Sequence, residues 1–323
     1  MRTITVEEHF ATPGFLDGPG RQFKEQQHVR GGRSVLLDQL CDVGDKRLAE
    51  MDAAGIDMQV LSLNYPGTEQ LDAAEAVPAV RDANDFLAEA IKKHPARFAG
   101  LAVLPTAAPD KAAAELQSRV RQHGFKGAII NGHNRGRYLD DKFFWPILEC
   151  AVELNVPIYL HPTPPPKPVI EASYGGFPPF VTFLFTGPGW GWHIETAIHL
   201  LRMILGGVFD RFPQLQIVIG HLGEGLPFML PRADRALAPE VTKLQRSIGD
   251  YLRHNVHYTF GGFNFPATFL DLLLEVGVER IMFSVDYPYG SMAKARAFLE
   301  QIPVSPADRE RIAHGNAERL FKL

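Results

Sequence analysis

The stretch Gln216-Ile217-Val218-Ile219-Gly220-His221-Leu222-Gly223-Glu224-Gly225-Leu226-Pro227 decides how the rest of the chain is read. A short apolar run, 216–219, stops at a glycine. His221 and Glu224 follow, and a helical pattern over 225–238 begins at once. A buried strand that ends in titratable side chains and passes straight into a helix is one βα unit of a parallel sheet.

Working outward, the unit recurs. Apolar or β-branched runs at 3–6, 58–63, 98–103, 127–130, 157–160, 256–259 and 280–283 bring the number of predicted strands to eight. Helical periodicity lies between them, over 46–54, 75–93, 109–123, 142–154, 194–212, 225–238, 267–275 and 293–301. Several strands are continuously apolar, as expected where helices cover both faces of a parallel sheet. Eight such units fit a closed α/β barrel, the (β/α)8 TIM-like fold, better than an open sheet. That fold also lets all 323 residues form a single domain, since such barrels run well past 200 residues as one unit. Two connections, 11–45 and 162–193, are long and rich in Gly and Pro, and are expected to be lids or active-site walls.

Composition narrows the partners. A content of 46% hydrophobic and 22% charged residues is globular, and a formal net charge of −4 lacks the basic excess that nucleic acids or anionic membranes select. Two cysteines, Cys41 and Cys150, exclude a thiolate metal cluster by number and, far apart in sequence, argue against a disulfide framework. Glu7 and Glu8 interrupt the segment where a signal peptide needs an apolar core, and glycines and prolines break the most apolar stretch, 177–192. The expectation is a cytoplasmic protein without a membrane span.

In a barrel, chemistry collects where strands end and βα loops begin. Here the first strand ends in Glu7-Glu8-His9, the fifth in His161, the sixth in His221 with Glu224 close behind, and the eighth in Asp286. Glu7 and His9, two apart on an extended segment, are expected to point to the same side and converge on one ion, with Glu8 turned toward the wall. Two imidazoles and two carboxylates, Glu7, His9, His161 and Asp286, suit one divalent ion, Zn2+ or Mn2+. The fourth strand ends in Ile130-Asn131-Gly132-His133, without a lysine whose carbamate could bridge a second ion. His221 and Glu224 could hold or move a proton, although a carboxylate at a helix start is also favoured by the dipole. Arg232 is either an anion binder or a solvated helix-face arginine. Trp190 and Trp192 are either an aromatic wall for a ring substrate or packing. His123, His199, His254 and His257 lack a strand-end position and read as structural.

These residues carry a resemblance. The runs Val6-Glu7-Glu8-His9-Phe10, Leu160-His161-Pro162, Gly220 to Phe228 and Phe283-Ser284-Val285-Asp286-Tyr287-Pro288 resemble the decarboxylase branch of the amidohydrolase superfamily. That branch includes decarboxylases of gamma-resorcylate, 2,3-dihydroxybenzoate and 5-carboxyvanillate. The likeness extends to Asp52-Ala53-Ala54-Gly55-Ile56 and to the C-terminal Asn316 to Leu323. It implies that Glu7, His9, His161 and Asp286 are metal ligands and that His221 and Glu224 are an acid/base pair. It further implies that Arg232 reaches a substrate carboxylate across a subunit interface, hence a homodimer or homotetramer. Two departures touch the pocket. Thr163 follows His161-Pro162 where the family often has Arg-Asn, and Leu230-Pro231 precedes Arg232 where many relatives have a tryptophan.

The resemblance implies non-oxidative decarboxylation of an ortho-hydroxybenzoate, a small aromatic acid, with the ring carbon protonated before CO2 leaves. Asp286 is the expected donor, and His221, Glu224, Arg232 and Trp192 complete the site. The same residues could instead serve hydrolysis of a lactone or amide, or hydration of an unsaturated acid. A barrel that binds a metal or ligand without turnover is the third reading.

Overall fold

The computed structural model describes residues 1–29 and 35–323, so residues 30–34 of the first long connection lie outside the described part. Its strands are β1 (Ile4–Phe10), β2 (Met58–Leu63), β3 (Phe98–Gly100), β4 (Ala102–Val103), β5 (Ala128–Asn131), β6 (Ile158–His161), β7 (Ile217–Ile219), β8 (Val256–Thr259) and β9 (Ile281–Met282). They pair in sequence order as β1-β2-β3 and β4 through β9, and every pairing is parallel. Two backbone seams close the ring. The Leu101 N–H, between β3 and β4, donates to the Leu61 carbonyl at 2.9 Å. At the other seam Val6 N–H reaches the Phe283 carbonyl at 3.1 Å and His9 N–H the Tyr287 carbonyl at 2.7 Å, joining the last strand to the first. The architecture is a (β/α)8 barrel whose third strand, expected unbroken over 98–103, is interrupted at Leu101.

All residues of these strands are buried, which accounts for the continuous apolar runs of several of them. Outer helices start and stop on recognisable signals. Asp72 caps the helix Ala73–Lys93 by accepting from the Ala74 and Glu75 amides, and Ser291 caps Met292–Gln301. Gly55 and Gly124, both left-handed, end the helices Asp45–Ala54 and Pro109–His123. The helix expected over 194–212 is two, Gly191–Leu205 and Val208–Arg211, parted at Gly206-Gly207, where Gly207 has φ 72°.

The long connections contain more helix than their Gly and Pro content suggested. The first holds Pro13–Asp17, Arg21–Val29 and Val35–Cys41; the second holds Lys167–Ser173 and Pro179–Thr186. Pro13, Pro168 and Pro179 stand in first turns, where proline loses no hydrogen bond and its fixed φ suits a helix. Both connections wall the cavity over the C-terminal mouth of the barrel. Among the described residues, no helix is long and apolar enough to cross a membrane.

Candidate metal centre and acid/base cluster

Glu7 and His9 do converge at the barrel mouth, but not through plain alternation. β1 runs on to Phe10, and its register on β2 slips between Val6 and Glu8, so Glu7 is the extra residue of a bulge, at φ 100°. The slip leaves Glu8 facing the wall, as expected. There its oxygens accept the Val285 N–H at 2.8 Å and the Tyr287 N–H at 3.2 Å. Those two amides flank Asp286, which itself sits at φ 64°. Glu8 therefore grips the loop that presents Asp286, while burial lifts its own carboxyl to about 8.

The four residues named from strand ends come together. His9 Nε2 lies 3.1 Å from Asp286 Oδ1, and the His9 and His161 rings meet edge-on at 4.9 Å. His161 Nε2 lies 4.0 Å from Glu7 Oε1, and the candidate ligand atoms of Glu7, His9 and His161 all lie within 4.8 Å of one another. His161 Nδ1 is 3.0 Å from the Pro162 carbonyl, which can only accept. Its proton is therefore on Nδ1, and the lone pair of Nε2 faces the carboxylate.

This chemistry fits a cation. Glu7 Oε2 accepts from the Thr259 hydroxyl at 2.7 Å, whereas Oε1 is buried without a hydrogen-bond partner. A buried carboxylate oxygen facing an imidazole lone pair is costly unless positive charge stands between them. Burial raises the Glu7 carboxyl, against the pull of His221 and with the push of Asp286. Burial, with the charges of His9 and His221, holds His161 well below its ordinary range, in the neutral form a ligand needs. The neighbouring backbone leaves room for the carboxylate. A Cβ on Gly220 would stand 2.5 Å from Glu7 Oε1, and one on Gly261 would stand 2.7 Å from Oε2.

Beside this group lies a second one. His221 Nδ1 is 2.7 Å from Glu224 Oε1, and the pair is buried. Burial disfavours the charged imidazole, yet Glu224 and Glu7 push His221 up to about 10. Burial likewise opposes the Glu224 charge, but His221 and His193 bring its carboxyl down to about 2. His193 is the member that strand-end reasoning missed. It stands in the first turn of Gly191–Leu205, with Nδ1 2.6 Å from Glu224 Oε2. Its nearest sequence signal was the Trp-His pair at the close of the second long connection.

Strain concentrates at this mouth. Nine non-glycine residues among those described have positive φ, and five are Glu7, His221, Leu222, Glu224 and Asp286. L-residues seldom adopt this region, and where they do the surrounding structure must hold them.

A cavity of about 190 Å3 opens above both groups, with His9, His161, His221 and Asp286 on its floor. Trp192 forms part of its wall, alongside Tyr65, 6.0 Å away edge to face. Trp190 is 52% exposed and is not among the lining residues. Four lining residues with polar groups were not foreseen: Gln27, Asn64, Tyr65 and Tyr289, whose hydroxyl donates to Asn64 Oδ1 at 2.7 Å. Arg232 is exposed on the helix Leu226–Ala236, away from this chain's cavity. Of the histidines read as structural, His199 and His257 are buried, and His199 Nε2 accepts the Leu139 amide at 2.9 Å.

A closed parallel barrel with clustered imidazoles and carboxylates at its C-terminal mouth is the arrangement that suits metal-dependent hydrolases and lyases. The amidohydrolase family model matches residues 36–323, and the chain belongs to that family. It is 40% identical to a gamma-resorcylate decarboxylase of Polaromonas sp., over 99% of this chain and 98% of that protein. Among solved structures, it is similar to a dihydroxybenzoic acid decarboxylase of Polaromonas sp. with bound manganese and the inhibitor 2-nitroresorcinol. That match has a TM-score of 0.89 and 38% identity, covering 100% of this chain and 97% of that one. A 5-carboxyvanillate decarboxylase of Novosphingobium aromaticivorans, with manganese and 4-hydroxy-3-methoxy-5-nitrobenzoic acid, matches with a TM-score of 0.91. Its identity is 34%, over 100% of this chain and 96% of the other.

Proposed function

We propose that the chain catalyses metal-dependent, non-oxidative decarboxylation of an ortho-hydroxybenzoate. The observation that carries this reading is the grouping of Glu7, whose Oε1 is unpartnered, with His9 and His161, and of Asp286 beside His9, on the floor of an aromatic-walled cavity. Decarboxylase relatives identical over about 40% of nearly the whole chain support it.

One divalent ion, Zn2+ or Mn2+, held by those four residues would supply Lewis-acid binding of the substrate carboxylate and the adjacent phenolic oxygen. The chain's own groups do the rest. Direct loss of CO2 would leave an aryl carbanion, so a proton must reach the ring first. Asp286, presented by the loop that Glu8 grips, protonates the ring carbon bearing the carboxylate. The ring electrons move into a keto form, the carbon–carboxylate bond breaks, and its electron pair restores the ring as CO2 departs. Solvent later returns the proton to Asp286. His221, oriented by Glu224, lies at the cavity floor to hold the phenolic proton, while Trp192 supports the ring face and limits water.

We assign the substrate's remaining anionic contact to a second copy of the chain. No arginine or lysine lines the cavity among the described residues. Arg232 instead shares its helix with Phe228 and Met229, which are 78% and 51% exposed. Such an apolar patch around a cation suits a subunit interface. A homodimer or homotetramer would deliver Arg232 into the neighbouring site.

Metal-loaded protein incubated with a panel of hydroxybenzoates, with ultraviolet spectra and evolved CO2 recorded, tests the reading. Turnover of at least one ortho-hydroxybenzoate is expected. Hydrolysis of lactones or hydration of unsaturated acids, with no activity on the panel, would overturn it, as would bound metal with no turnover of any kind.

A further inference from the structure

His193 links the substrate wall to the acid/base pair. Glu224 is buried and carries one histidine on each oxygen: His221 Nδ1 at 2.7 Å from Oε1, and His193 Nδ1 at 2.6 Å from Oε2. A carboxylate accepts only, so both imidazoles donate from Nδ1. With both oxygens engaged, the carboxylate cannot rotate without breaking both bonds. The tautomer this imposes on a neutral His193 leaves Nε2 as an acceptor, and the Trp192 indole N–H, which can only donate, lies 3.0 Å from it. The Pro188 carbonyl, 3.1 Å from the same nitrogen, is a partner only when that nitrogen carries a proton. Phe263 closes over both imidazoles, with ring centroids 5.3 Å from His193 and 5.2 Å from His221.

We propose that His193 is a positioning residue that couples Trp192 to the Glu224–His221 pair, so that one side chain fixes both the ring wall and the proton-handling carboxylate. This rests on the reading of His221 and Glu224 as the acid/base pair and gives it a third member. The two contacts lie on opposite nitrogens and can be separated. The amide nitrogen of asparagine falls near Nδ1 and can keep the donor to Glu224 while losing the acceptor for Trp192. The amide of glutamine falls near Nε2 and does the reverse.

His193→Asn and His193→Gln, both in the full-length metal-loaded enzyme, test the coupling. His193→Asn is expected to keep kcat within about threefold and to raise KM about fivefold. His193→Gln is expected to lower kcat about tenfold or more at little-changed KM, the split expected when transition-state and uniform binding contacts are removed separately. A second readout needs no turnover. The Trp192 indole 1H–15N resonance, assigned by its loss in Trp192→Phe, should shift in His193→Asn and stay near its wild-type position in His193→Gln. Equal effects of the two variants on kcat, KM and the indole resonance would mark His193 as mere packing and overturn the proposal. Should the wild type turn over no hydroxybenzoate, the decarboxylase reading fails, and the indole resonance still decides whether His193 holds Trp192.

Discussion

The Thr259 hydroxyl donates to Glu7 Oε2 at 2.7 Å, across 252 positions of sequence. Tyr159 Oη lies 2.9 Å from the same hydroxyl. Because Thr259 spends its proton on a carboxylate, its bond with Tyr159 must be one it receives, giving a relay from Tyr159 through Thr259 to Glu7. The relay engages Oε2 and aims Oε1 at His161 and His221. Replacing Thr259 by Val keeps the shape and deletes the donor. Divalent-metal affinity is expected to fall about 10- to 100-fold, the usual effect of losing a group that orients a ligand. The cost in stability should be only about 1–2 kcal/mol. Competition against a chelator measures the first and thermal melting the second; unchanged affinity would show that Glu7 needs no such anchor.

Asp286 can be examined without disturbing its loop, since the Glu8 contacts run to the Val285 and Tyr287 amides rather than to its side chain. Asp286→Asn should lower kcat by about 100-fold or more, because the amide cannot supply the ring proton. Circular dichroism should remain that of the wild type. A variant turning over at full rate would transfer the donor role to another group.

The His221–Glu224 pair predicts a pH signature in metal-free protein. His221 is raised from 6.5 to about 10, so its stabilising contribution is complete below pH 6.5 and disappears as pH climbs through about 10. Glu224 is lowered from 4.5 to about 2, so its contribution is complete above pH 4.5 and disappears as pH drops through about 2. Both are in full force between 4.5 and 6.5. The melting-temperature deficit of His221→Gln relative to wild type should therefore be largest near about pH 5.5 and should shrink toward about pH 10. A deficit independent of pH would place the benefit in packing rather than charge.

Arg232 invites a mixing experiment. If it serves the neighbouring subunit, Arg232→Ala and Asp286→Asn homodimers are each inactive, but a mixed dimer holds one site with both residues intact. Random reassortment makes half the dimers mixed, so activity should recover to about a quarter of wild type. Absence of recovery in verified heterodimers would return Arg232 to its own chain's surface.

Much of this site is legible in the sequence, because a parallel barrel obliges strand ends to meet. Glu7, His9, His161, His221 and Asp286 follow apolar runs, and the topology brings them to one mouth. His193 was hidden because it opens a helix instead of closing a strand, and no spacing rule links it to Glu224, 31 residues on. Tyr289 lies just past Asp286, one step beyond where strand-end reasoning stops. Phe23 and Gln27 reach the cavity from a helix inside a connection whose length alone was informative. The bulge at Glu7 gave no warning either, having neither glycine nor proline to mark it.

That inserted residue has a consequence for how the barrel can vary. Across the extra residue in the middle of β1, the adjacent acids divide their labour, Glu7 toward the reacting space and Glu8 into the seam that fixes the adjoining rim. Removing one residue there would restore an even ladder yet force a choice between the two tasks. Length in this short segment should therefore tolerate change less well than many of the side chains lining the cavity.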